Sequence, residues 1–336
     1  MKRHFLSPVQ FVAVTALCSA LSLCMIGCHK DEPSTAPSGG GGTSATAPAT
    51  AKPTLAIGVS VLTSSNPFFE HMSDAMVAEG KKQGYDVNIT SGDNDPAKQK
   101  GEVDDFIVKK VSAIVLCPCD SRSVGTTIVE ANNAGIPVFT ADIANLDKTG
   151  KVVSHVATDN LAGGKLAGEA IVEALGGKGK VAIIDHPEVE SAMLRSKGFR
   201  EVIAKNPGIT IVGDLPGEGE RDIAFKAAQD VLEKNPDLAG IFAINDPMAL
   251  GTVAAIEKAG RTGKIKVISF DGDKEARQAV KDGKIYADVV QYPDKIGQLT
   301  IDHIADYLAG KAVDPQMLIP AGVYKKADAD KDPQLK

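Results

Sequence analysis

The sequence predicts an α/β protein of two similar lobes, each a Rossmann-like, doubly wound parallel sheet, facing each other across a cleft. Three observations predict it. Apolar, β-branched runs alternate with amphipathic runs from Thr54 onward, the pattern of βαβ units. The strand-like runs are too numerous for one ordinary open sheet. The corners that carry motifs fall into two groups, before about residue 145 and after about residue 185. The alternative is a (β/α)₈ barrel. TADIA and VVSHVATDN are separated by only a short polar turn, which leaves no room for the helix a barrel needs between its strands.

The first strand is TLAIGVSV, and EHMSDAMVAEGKKQGY behind it has apolar or small residues at helical spacing. Strand-like runs follow at 86–91, 113–117, 137–141, 152–157, 180–185, 209–214, 239–244, 265–270 and 286–290. Helical patterns at 97–110, 123–134, 160–175, 221–235 and 246–260 fill most of the gaps. Asp159 and Asn160 read as the cap of the helix over 160–175. GGKGK, at 176–180, reads as a helix-to-strand turn. It is no phosphate loop, because the chain contains neither GxGxxG after a strand nor GxxxxGK[ST].

Ahead of this body, Lys2 and Arg3 precede an apolar stretch from Phe11 to Ile26 that is too short and badly flanked for a membrane span. It reads as an export signal over residues 1–28. Gly27 followed by Cys28 resembles the lipobox of bacterial lipoproteins, in which Cys28 is lipidated and becomes the new N-terminus. Met25 stands where leucine is more usual, and simple cleavage is the alternative. Residues 29–53, with GGGG at 39–42, are Pro, Ser, Ala, Thr and Gly rich and read as a flexible linker. The expectation is a body tethered by lipid outside the cytoplasmic membrane, at its periplasmic or cell-surface face.

The net charge of −6 provides no basic footprint for nucleic acid. Cys18, Cys24 and Cys28 belong to the export signal, so an exported fold with only Cys117 and Cys119 is held by its core and not by bridges. Those two, in LCPCD, are too close in sequence for an unstrained disulfide and have no partners at metal-ligand spacing. They read as small buried thiols near the end of the third strand, where one could reach a ligand. His155 and His186 read as structural, with a place at the edge of the cleft as the alternative for His186. No metal, nucleotide or redox cofactor is expected.

SSNPFF places Phe68 and Phe69 at the first strand-to-helix corner, and such corners at strand carboxyl ends are where open α/β sheets bind ligands. TADI, FAINDPMA, ISFDGD and VVQYPD put Asp142, Asn245, Asp271 and Gln291 at four more strand ends. Any one of them reads equally as a turn former or N-cap. Together they are carboxylates and amides that bond several hydroxyls, beside aromatic faces that cover the C–H surface of a sugar ring. The plainer alternative for the two phenylalanines is core packing of at least one ring.

The ordered set SSNPFF, DNDPAKQ, GIPVFTAD, VVSHVATDN, GGKLAGE, INDPMALG, SFDGD and VVQYPDKIG resembles the ribose-binding protein family of periplasmic solute-binding proteins, which feed ABC importers. The resemblance spans Thr54 to about Tyr324. It implies the type I periplasmic binding protein fold, crossed three times by the chain and closing around one sugar. It implies ligand contacts by Asn66, Phe68, Phe69, Asp142, Asn245, Asp271 and Gln291, and crossings near Thr158, near Gln291 and Tyr292, and near residues 320–322. The lobes would then be 54–158 plus 292–320 and 159–291 plus 321–333.

The sequence departs from that pattern at three places. Ile143 stands where ribose binders place an arginine after the aspartate, Met193 stands at a second arginine position, and Gly219 stands where an aromatic caps the sugar. Each lost charged donor removes on the order of 1.5–3 kcal/mol, which argues against plain ribose. Ile143, Glu190, Met193 and Arg195 are therefore further candidate contacts, with Glu188 and Arg221 as other groups able to reach in.

The function implied is capture of a monosaccharide or polyol for an ABC transporter permease, by a monomer. The alternative is a sugar sensor that presents its ligand to a membrane chemoreceptor or signalling receptor. Asp142 with Asp271 is the only candidate acid/base pair, and it reads as hydroxyl-binding, so an enzyme is not expected.

Overall fold

The computed structural model describes residues 55–335; the export signal, Cys28 and the linker lie outside the described residues. The chain opens with β1 (Leu55–Val61), α1 (Pro67–Gln83), β2 (Tyr85–Ser91), α2 (Pro96–Lys109), β3 (Ala113–Leu116), α3 (Gly125–Asn133), β4 (Val138–Ala141) and β5 (Val152–Thr158). It continues with α4 (Asn160–Leu175), β6 (Gly179–Asp185), α5 (Glu190–Ile203), β7 (Ile209–Pro216), α6 (Arg221–Lys234), β8 (Leu238–Ala243), α7 (Asp246–Lys258), β9 (Lys266–Asp271), α8 (Lys274–Lys281) and β10 (Ala287–Val290). The last elements are α9 (Pro293–Leu308), β11 (Gln316–Ile319), β12 (Gly322–Lys325) and α10 (Lys326–Ala329).

These strands form two six-stranded sheets, ordered β11-β5-β4-β3-β1-β2 and β12-β10-β9-β8-β6-β7. Every neighbouring pair is parallel except β10 with β12. The chain passes from one sheet to the other after β5, after β10, and between β11 and β12. No helix forms between the parallel pair β4 and β5, in keeping with the reading against a barrel.

Both sheets are covered by helices, so their central strands are apolar throughout and buried, as in AIVL of β3 and VFTA of β4. Helix starts follow local chemistry. Asn66 caps α1 by accepting from the Phe68 amide, with Pro67 at the first turn, and Asp95 caps α2 by accepting from Ala97 and Lys98. Asn245 caps α7 by accepting from Met248.

The helices α5, α8 and α9 were not read from sequence. In α8, KEARQAVK, only Ala276, Ala279 and Val280 turn inward, too small a stripe to stand out beside its charges. The strands β11 and β12, likewise not read from sequence, are short, half-exposed edge strands.

One packing detail matters for the site. A Cβ on Gly164 would overlap the carbonyl oxygen of Arg195, and one on Gly198 would overlap that of Leu161. Absence of side chains at both positions lets α4 and α5 touch backbone to backbone and brings the Arg195 side chain over the start of α4.

Candidate functional site

At the carboxyl ends of the two sheets lies a narrow cleft between the lobes. Asn66, Phe68, Phe69, Asp142, Asn245, Asp271 and Gln291 all line it, as do Ile143 and Arg195. The first lobe supplies Asn66, the two phenylalanines at the start of α1, and Asp142 and Ile143 just past β4. The second lobe supplies Arg195 from α5, Asn245 just past β8, Asp271 at the end of β9 and, just past β10, Gln291.

Both asparagines cap a helix and line the cleft. Asn66 Oδ1 accepts from the Phe68 amide at 2.9 Å, which leaves its Nδ2 to donate to Asp271 Oδ2 at 3.2 Å. Asn245 Oδ1 accepts from Met248, and its Nδ2 donates to the Gly219 carbonyl. Capping therefore fixes each amide with its NH₂ group directed away from the helix.

Asp271 is the centre of a bonded network. Its Oδ1 accepts from Gln291 Nε2 at 2.6 Å and from Arg195 at 3.3 Å. Gln291 Oε1 in turn accepts from Thr158 Oγ1 at 2.7 Å. The chain Thr158–Gln291–Asp271–Asn66 thus runs from two crossings of the polypeptide to both walls of the cleft. Asp271 has φ +133° and Asp142 has φ +62°. Both lie in the left-handed half of backbone space, where side chains are rare and where strain collects at binding sites.

Phe68 and Phe69 meet edge to face, with centroids 5.3 Å apart, and both also belong to the hydrophobic core. Packing and lining of the cleft are compatible roles here: the core fixes the rings that the cleft presents.

Two of the four further candidates do not line the cleft. Ser191, Ala192 and Arg195 face it from α5, whereas Met193, two residues from Arg195, is on another side of the helix. Met193 Sδ instead meets the Arg122 guanidinium at 2.9 Å. Glu190, at the first position of α5, is likewise absent from the lining, although its Oε2 is buried without a hydrogen-bond partner. Arg195 is held by Asn160 Oδ1 at 2.8 Å and the Ile244 carbonyl at 2.9 Å, and its guanidinium lies 3.8 Å from the Phe270 ring centre. Arg221 pairs outside with Glu275. The thiols of Cys117 and Cys119 are free and buried, and neither lines the cleft.

For His186 the structure favours the lesser of its two sequence readings: it lines the cleft and occupies the space beside Gly219, where a Cβ would come within 3.2 Å of its Nδ1. His186 directly follows β6, so the same strand-end rule that selected Asp142 selects it as well. Asn94, in the DNDPAKQ motif, was passed over and lines the cleft.

Burial dominates the electrostatics. It pushes the Asp142 carboxyl up to about 7, against the pull of Arg195 and with the push of Asp271 and Glu190. It raises Asp271 too, opposed by Arg195, Asn66 and Gln291. It lowers His186, so the imidazole is neutral at pH 7, against the influence of Glu188, Glu218 and Glu220. His155, bonded to Thr140 away from the cleft, is lowered to about 4 by the same cause.

The walls also touch each other directly. Ser65 and Asn94 both donate to Glu220 Oε1, at 2.9 and 3.0 Å, and the Ser121 amide donates to the Glu188 carbonyl at 3.0 Å. With Asn66 on Asp271, these contacts make this a closed arrangement of the two lobes.

Two parallel-sheet lobes closed over a cleft of aromatics, amides and carboxylates define a bilobal small-molecule binding protein. The chain belongs to the periplasmic binding protein domain family, which it matches over residues 57–312. It is similar to the ribose import binding protein RbsB of Escherichia coli strain K12, with 35% identity over 79% of this chain and 88% of that one. It is similar to the D-apiose import binding protein of Paraburkholderia graminis, with 32% identity over 85% of this chain and 92% of that one. Among solved structures, it resembles an ABC transporter periplasmic solute-binding protein from Actinobacillus succinogenes with bound D-allose. That match has a TM-score of 0.77 and 30% identity, over 83% of this chain and all of the other. Its relatives are thus sugar-binding components of ABC transporters, not enzymes, in a type I periplasmic binding protein fold.

Proposed function

We propose that the protein captures a monosaccharide or related polyol, other than plain ribose, in this cleft and delivers it to an ABC importer. The observation that carries the reading is the meeting of Phe68 and Phe69 with Asp142, Asn245, Asp271 and Gln291 in one interlobe cleft. Ring faces take the C–H surface of a sugar, while amides fixed by their caps and carboxylates take its hydroxyls. Ligand held first by one wall draws the other over it, and closure is selected by contacts that need both walls. The lobes that move are 54–158 plus 292–320 and 159–291 plus 321–333, hinged where the chain crosses between sheets. Against ribose stand Ile143, an apolar residue in the cleft wall, Met193, turned away on Arg122, and Gly219, whose missing side chain leaves room taken by His186.

Cys28 would tether this body through lipid at the outer face of the cytoplasmic membrane. Retention in the membrane fraction, lost on Cys28→Ser, tests the tether. A thermal-shift screen against pentoses, hexoses, furanoses, polyols and amino acids tests the ligand class. A ligand at 100-fold above its dissociation constant adds about 2.7 kcal/mol of stability. A response to amino acids with none to sugars or polyols would overturn the sugar assignment.

A further inference from the structure

We propose that the ligand carries a positively charged amine facing Asp142, so that the cleft selects an amino sugar or amino polyol over its neutral parent. This rests on the sugar reading and narrows it. The cleft's two aspartates are provided for very differently. Asp271 accepts from Arg195, Asn66 and Gln291. Arg195, the guanidinium in the cleft lining, is committed to Asn160, to the Ile244 carbonyl and to Asp271, and gives Asp142 no hydrogen bond. Asp142 is 3% exposed, lines the cleft, and has an Oδ1 buried without a partner.

Arg195 acts on Asp142 only through space, and no side chain bonds its Oδ1. The next residue, Ile143, is buried and apolar, and Leu62, Val189 and Ala192 add apolar surface to the lining. The nearby Glu190 brings a second buried, unpartnered carboxylate oxygen, and its charge bears on Asp142. A buried carboxylate oxygen without a bonded donor is costly, and a cation or a proton brought to it removes that cost. An ammonium group supplies a charge and three donors, whereas a hydroxyl supplies one donor and no charge. The Asp142 backbone has φ +62°, and its amide donates to the Val156 carbonyl at 2.9 Å, which places the residue at the cleft wall. Burial has lifted this carboxyl to about 7, so an arriving cation has a large effect on its ionisation.

The test is isothermal titration calorimetry on the full-length protein with D-glucosamine, D-galactosamine and D-glucamine, each beside D-glucose, D-galactose and D-sorbitol. N-Acetyl-D-glucosamine serves as an uncharged nitrogen control. At least one amine should bind on the order of 10-fold or more tighter than its parent, as expected for a charge-assisted bond. Asp142→Asn, which keeps the shape and removes the charge, should bring the pair within about 3-fold of each other. Parents that bind as tightly as the amines, or a preference that survives Asp142→Asn, overturn the inference while leaving the sugar reading in place. If neither set binds, the amine inference fails, while the sugar reading is decided by the wider thermal-shift screen. Should Asp142→Asn not fold, the wild-type comparison decides alone, and Glu190→Gln supplies a second variant expected to weaken the preference.

Discussion

On the second lobe's wall, Asp271 receives an arginine and two amides from within the protein, whereas on the first lobe's wall Asp142 is buried with an unpartnered oxygen among apolar residues. The difference teaches how the two walls divide the work. The second is organised before any ligand arrives, because its charges satisfy each other through a network reaching the chain crossings. The first presents rings and a carboxylate whose partner must come from outside.

Alanine substitution at the two aspartates is the most direct way to break this comparison. Asp271→Ala leaves the buried Arg195 guanidinium without its carboxylate, which should cost about 3–5 kcal/mol of folding stability. It should also weaken ligand binding by roughly 2–4 kcal/mol. Asp142→Ala removes a carboxylate that no protein donor bonds, so ligand-free stability should change by about 1 kcal/mol or less. Urea denaturation of both variants checks the pair. Equal losses at both positions would erase the distinction between the walls.

Beneath the second wall, the comparison sharpens through pH. Asp246, fully buried, accepts from the Gly272 and Asp273 amides and so holds the turn that follows Asp271. Asp288 is fully buried nearby, and burial together with the charge of Asp271 pushes its carboxyl up to about 8. Burial raises Asp273 to about 7. A carboxyl whose folded value lies above its unfolded value of about 3.9 binds more protons when folded. Its contribution is complete below the unfolded value and is lost as pH rises through the folded one. The melting temperature should therefore decline from pH 5 to pH 8. Asp288→Asn, a mimic of the protonated acid, should flatten the decline and melt above the wild type at pH 8. A wild-type profile that rises over this range would show that these groups are ionised in the fold.

A smaller effect is expected where α4 and α5 meet. Gly198→Ala puts a methyl group against the Leu161 carbonyl, and overpacking of this kind costs about 1–3 kcal/mol. Because the shift also moves Arg195, ligand affinity should fall along with stability. The same substitution at Gly101, which has open space around it, should leave affinity unchanged. Calorimetry on the two variants separates a packing effect transmitted to the site from a general effect of replacing glycine.

Much of the architecture and of the site was legible because both are written in local chemistry. Buried parallel strands are continuous apolar runs, and Asp142, Asn245 and Asp271 stand next to such runs, so the strand-end rule finds them without knowledge of packing. What escaped depends on three-dimensional register. Met193 and Arg195 are both near the cleft in sequence, and only the rotation of α5 decides that the arginine enters. Asp246 and Asp288 look like an ordinary first-turn acid and a strand residue; their juxtaposition needs β9 and β10 to pair as they do. His186 was legible by the same rule as Asp142 and was read first as structural because histidine at such a corner also serves structure.

The least costly contact between the walls provides the finest test. Glu220, from the second lobe, accepts from Ser65 and Asn94 of the first through a single oxygen. These bonds exist only when the lobes are closed, and their donors and acceptor can turn to water when the lobes open. They therefore favour closure without forming part of either wall's internal network. Glu220→Ala should raise the ligand dissociation constant about 5-fold, the equivalent of roughly 1 kcal/mol. The loss should lie in a faster off-rate, because encounter with the open cleft is unaltered. Stopped-flow measurement of both rates distinguishes the cases: a slower on-rate with an unchanged off-rate would place Glu220 in ligand capture instead of closure.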